Sequence, residues 1–182
     1  MPNADAILSR WYAGEIGGEA LFAQMAKQAA PEAAGKWLAL AQLEARVASR
    51  LAETLSERGQ PIPMPNDVAR RARERCEVVA GKSWAETMQW LRALAGDALQ
   101  RMRTEADQLP EPLDAIGDLV VRHEAALLEF ADMELAGNGM QSLHAVTLLL
   151  DSHAQPALSS GELLGAMQNF KGKGAGPRRK AR

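Results

Sequence analysis

Three glutamates, Glu15, Glu44 and Glu124, stand where the helical period calls for apolar side chains. At about 100° per residue, Glu15 projects within roughly 40° of Trp11 and about 20° of Phe22. Glu44 falls among Leu40, Ala41, Val47 and Ala48, and Glu124 on the arc of Val120, Leu127 and Ala131. A carboxylate on an apolar stripe is costly unless it is paired, protonated or bound to a cation. Two further groups could assist. Glu19 lies one turn from Glu15 at the stripe margin. His123 neighbours Glu124 in sequence but projects about 100° away, at the edge of the stripe. Hard oxygen donors of this kind suit Fe(II) or Mn(II).

The levels agree as well. Glu15 precedes the first turn by about fifteen residues and Glu44 follows it by about fourteen, so at 1.5 Å per residue they differ by roughly 2 to 3 Å. Glu124 lies about fourteen residues beyond the turn at Pro110, so two hairpins packed side by side bring all three to one depth. The alternative is that each is separately paired with Arg, His or a Trp N–H, or is held protonated. Glu86 has a different role, in a helix cap. Glu129, Glu134, Asp97 and Asp118 project off the stripes and are expected in solvent.

The elements that would carry these groups are all helical. Ala and Leu dominate, β-branched residues are sparse, and the chain has one Tyr and three Phe. The first helix is predicted over 4–29, with Asn3 as its cap and Asp5 in its first turn. Gly14, Gly17 and Gly18 interrupt it and would let a backbone or ligand approach. The second runs over 32–58, from Pro31 to a stop at Gly59. An extended connector, Gln60–Pro65, precedes a short helix over 67–80, capped by Asn66 and closed by Gly81. Ser83 and Glu86 form a capping box that opens the third long helix, 84–108. Pro110 and Pro112 mark a turn before the fourth, 113–136, which Gly137-Asn138-Gly139 ends. A fifth, shorter helix is expected over 141–152. The order is hairpin, long connection, hairpin: an all-α four-helix bundle with one crossover and an added C-terminal helix.

The 182 residues suit one domain plus a tail, here 1–153 and 154–182. Within the tail, Ser160–Phe170 has a weak amphipathic pattern and the basic end is expected to be disordered. Net charge is −2, but the last twelve residues hold six of the 21 basic groups and none of the 23 acidic ones, leaving the remainder at −8. A body so acidic is repelled by a phosphate backbone, so nucleic acid is not expected as a partner. No apolar run suits a membrane span, and the N-terminus has no secretory pattern, so a cytoplasmic location is expected. Cys76 is the sole cysteine, which excludes an internal disulfide. Phosphate loops, zinc-spaced Cys/His sets and Ser/His/Asp signatures are absent. Trp11, Trp37, Trp84 and Trp90 would pack the core, line a pocket or form a dimer seam. Apolar Ile16, Leu21, Leu38 and Leu43 lie beyond one stripe and point to a second buried face, hence a homodimer.

Two stretches carry a family resemblance. One is Gly14-Glu15-Ile16-Gly17-Gly18-Glu19-Ala20-Leu21-Phe22, followed by Leu40-Ala41-Gln42-Leu43-Glu44. The other is His123-Glu124-Ala125-Ala126-Leu127-Leu128-Glu129-Phe130-Ala131-Asp132-Met133-Glu134-Leu135. With the helix order, they resemble the ferritin-like superfamily, nearest its rubrerythrin-type small bacterial members. The resemblance implies a bundle whose central glutamates bind iron or manganese and handle dioxygen, peroxide or electrons. It puts Glu15, Glu44 and Glu124 at ligand seats. The family's histidine seats fall on Val47 and Leu127, and a glutamate seat falls near Ala95, so its two-metal ligand set is incomplete here. The competing expectation is a metal-free bundle that serves as a binding or scaffolding module.

Overall fold

A computed structural model describes residues 3–152, where six α-helices and no strand occur. They are α1 (Ala4–Gln28), α2 (Pro31–Glu57), α3 (Val68–Val79), α4 (Trp84–Ala106), α5 (Asp114–Leu135) and α6 (His144–Ser152). A 3₁₀ turn at Glu111–Leu113 leads into α5. The basic segment 154–182, including 160–170, lies outside the described residues. No described helix is long and apolar enough to cross a membrane.

Local chemistry sets the helix ends. The Asn3 side chain accepts a hydrogen bond from the Asp5 N–H, and Ser83 and Glu86 complete both halves of the capping box. Gly59 adopts φ +67°, and the Gln60 N–H reaches back to the Leu55 carbonyl, satisfying an end group of α2. The entry to α3 differs from expectation. Its cap is Asp67, not Asn66, at φ +60°, and the Asp67 carboxylate accepts from Arg70 instead of capping the helix. Asp is among the few residues that tolerate this left-handed conformation.

The long helices pair as hairpins, α1 with α2 and α4 with α5, and α2 also packs on α5. The connector helix α3 lies against α1 and touches α4. It covers part of what would otherwise be an outer face, and buried Cys76 points its thiol toward the Leu21 carbonyl. Leu21 and Leu43, expected to face a second chain, are already buried within this one. Leu38 stays half exposed.

An aromatic layer ties the four long helices together. Trp37 of α2 stacks on Phe22 of α1 at 5.8 Å and meets Trp84 of α4 and Phe130 of α5 edge-on, at 5.4 and 6.3 Å. Nearer the other end, Trp11 of α1 donates its indole N–H to Glu105 of α4 at 2.6 Å, and Arg10 pairs with the same carboxylate. On α1, Glu15 and Gly18 follow Trp11 on the face that continues to Phe22, so the acidic site sits between these two fixed levels.

Candidate metal centre

The structure brings Glu15, Glu44 and His123 together from α1, α2 and α5. One donor atom from each lies within 4.8 Å of the other two. His123 Nδ1 is 3.5 Å from Glu15 Oε2, and Nε2 is 3.3 Å from Glu44 Oε1. All three side chains are buried, His123 at 1 % and Glu15 at 2 % exposure. At these positions no hydrogen bond closes on Glu15 Oε2 or on either ring nitrogen of His123. Buried polar atoms without partners are uncommon and cost about 1–3 kcal/mol each.

Electrostatics describe the same site. Burial pushes the Glu15 carboxyl well above its usual range; His123 opposes the shift, while Glu44 and Glu124 add to it. Burial also raises Glu44 well above the ordinary value, partly offset by a hydrogen bond with Glu15. Burial thus favours the neutral, protonated form in both members of the Glu15–Glu44 pair. Glu124 is raised by burial as well, against the pull of His123 and Arg101.

Packing explains why Glu44 sits where it does. A Cβ added at Gly18 would fall inside the van der Waals radius of the Glu44 carboxylate. This glycine is therefore the gap in α1 that admits a side chain from α2. Gly17 has open space at the same position and plays no such part.

The other sequence candidates lie close by in different settings. Glu124 is buried on α5 but is not among the three mutually close donors; its charge acts on both Glu15 and Glu44. The rotation of α5 decides this, since it directs His123, projected at the stripe edge, between the two glutamates. Glu19, one turn beyond Glu15 on α1, is partly exposed, and its charge acts on Glu44 across the helix pair. Val47 and Leu127 are core residues, and Ala95 and Ala98 of α4 are buried opposite the acids.

Beside the carboxylates is a cavity of about 140 Å³. Glu15, Glu44 and Glu124 line one side, and Leu91, Leu94, Ala95, Ala98 and Met102 of α4 line another. Arg75 of α3 and Arg101 of α4 also line it, and both are exposed.

Glu134 departs from expectation. Its side chain is only 5 % exposed and binds Lys36, Ser142 and the Trp84 indole N–H. Burial pushes this carboxyl up, but its three donors outweigh that and hold it below the usual range. The segment after α5 folds back to supply Ser142, a tertiary contact that helical periodicity does not encode. Burial raises the Cys76 thiol, which makes it a poor nucleophile.

The donor set fits a cation. Two carboxylates and an imidazole suit a divalent transition metal. One ring nitrogen of His123 can serve an ion together with a carboxylate oxygen from Glu15 and from Glu44, since one donor atom of each residue lies within 4.8 Å of the other two. The ring nitrogen not used would keep its N–H for the other carboxylate, a common way of fixing a metal-bound histidine. No protein-family model, curated protein or solved structure matches the chain.

Proposed function

We propose that this protein binds a single Fe(II) or Mn(II) ion through Glu15, Glu44 and His123, and that α1, α2, α4 and α5 form a ferritin-like four-helix bundle around it. The observation that carries this is the buried trio with its unpartnered atoms: Glu15 Oε2 and both nitrogens of His123 lack partners that a cation or its attached water would supply. Burying such a set without a counter-charge costs several kcal/mol. Glu124, and more remotely Glu19, set the local field. When bound, an iron or manganese ion would supply oxidoreductase-type chemistry on dioxygen or peroxide. The chain itself contributes a shaped recess, buried carboxyls whose protons the metal must displace, and a glycine that seats Glu44.

The test is anaerobic loading with Fe(II) or Mn(II), followed by metal analysis after desalting. About one ion per chain is expected, lost in Glu44→Ala and in His123→Ala.

One observation favours a second reading. Burial raises both carboxyls well above their usual range and His123 lies 3.3–3.5 Å from each, so the trio can limit its own charge without metal. The bundle would then be a metal-free binding or scaffolding module, most simply a homodimer using the face around half-exposed Leu38. Absence of metal uptake, together with a gain of stability in Glu44→Leu, supports this alternative.

A further inference from the structure

We infer that the cavity beside the centre is a substrate pocket and that it takes a small monocarboxylic acid, with its apolar body toward the metal and its carboxylate at the mouth. The inference rests on the metal-binding reading above and adds the class of molecule. Three observations carry it.

First, α4 presents no ligand to the centre. Ala95 and Ala98 stand there, and their short side chains leave the cavity of about 140 Å³. A volume near 150 Å³ holds a benzene-sized molecule, and one wall here is apolar, formed by Leu91, Leu94, Ala95, Ala98 and Met102. The recess therefore has room for about six heavy atoms with their apolar face against that wall.

Second, the inner end is polar and unfinished. Glu15 lines the cavity, is 2 % exposed, and has a carboxylate oxygen without a hydrogen-bond partner. Glu15 and Glu44, two of the three residues that would hold a metal, line this cavity, and α4 adds no carboxylate, histidine or cysteine to it.

Third, the outer end is cationic. Arg75 and Arg101 line the cavity from different helices and are exposed; neither makes a salt bridge among the described residues, while at longer range Arg75 acts on Glu44 and Arg101 on Glu124 across the same recess. Planar guanidinium groups recognise carboxylates with two parallel hydrogen bonds. An acid entering head-last leaves its charge on these arginines and its hydrocarbon against Ala95 and Ala98.

The test uses the full chain loaded with Mn(II), with benzoate and hexanoate as probes and benzamide as the neutral counterpart of benzoate. Bound Mn(II) relaxes nearby protons, so it reports orientation as well as binding. Expected are saturable binding of at least one acid, at least tenfold weaker binding of benzamide than of benzoate, and faster relaxation of the para than the ortho protons of benzoate. Arg101→Met should weaken acid binding at least tenfold and narrow the benzoate–benzamide difference. Ala98→Leu should fill the pocket and abolish binding while Mn(II) uptake stays near one per chain; Ala98→Val, a milder filling, should weaken it. Mn(II) uptake without binding of either acid overturns the inference and leaves the metal reading standing. Ortho protons relaxing faster than para would mean that the carboxylate sits on the metal, which also overturns it. Failure to take up Mn(II) overturns the metal reading itself, and metal analysis alone reveals it.

Discussion

At the scale of single residues, the account turns on a histidine between two glutamates. Replacing His123 by Ala should weaken metal binding by at least a hundredfold, whereas Glu124→Gln, outside the close trio, should change it by less than tenfold; a metal-competition titration separates the two. The raised carboxyls also predict how stability varies with pH. In the metal-free protein, Glu15 and Glu44 keep protons in the folded state that the unfolded chain releases above about pH 4.5. Their contribution is therefore fully present below that pH and is lost as pH rises toward the folded-state values. Denaturant unfolding of metal-free protein between pH 5 and 8 should show falling stability, with a smaller fall in Glu15→Gln. Metal affinity should rise over the same interval, because the ion competes with the proton. The two glutamates were legible from their places on apolar stripes. The centrality of His123 was only half legible: an ideal projection locates a side chain to within tens of degrees and left it at the stripe edge, whereas the structure buries both His123 and Glu124.

At the scale of elements, Gly18 gives the sharpest contrast. Ala at Gly17 meets open space and should stabilise the protein by about 0.5–1 kcal/mol through helix propensity. Ala at Gly18 gains the same propensity but must push the Glu44 carboxylate aside, so metal affinity should fall at least tenfold. Equal metal binding by the two variants would contradict the packing described. Glu134 joins α2, α4 and the approach to α6, and hydrogen bonds to a charged group contribute about 1.5–3 kcal/mol. Glu134→Ala should cost about 2–4 kcal/mol in denaturant unfolding. Since its folded-state pKa is depressed, its contribution is present above about pH 4.5 and is lost as pH falls below that. Glu134→Gln should flatten that acid limb. The helix limits were largely legible, because Asn3, Pro31, Gly59 and the Ser83–Glu86 box act within one turn. Glu134 was not, because its partners lie on other elements.

At the scale of the whole molecule, the order of helices was readable from the spacing of apolar residues and breakers, and the all-helical structure follows it. The covering of Leu21 and Leu43 within one chain was not, since α3 carries too few apolar residues to announce where it docks. Metal at a hundredfold excess over its dissociation constant should stabilise the fold by about 2.7 kcal/mol. In a chain of this size that corresponds to a rise in Tm of roughly 5 to 10 °C. The most direct measurement is the metal content of the purified full chain after anaerobic Fe(II) or Mn(II) loading and desalting, made side by side on the wild type, His123→Ala and Glu124→Gln. One ion per chain in the wild type and in Glu124→Gln, with none in His123→Ala, is the predicted result. Empty wild-type protein, or uptake indifferent to His123, would contradict it.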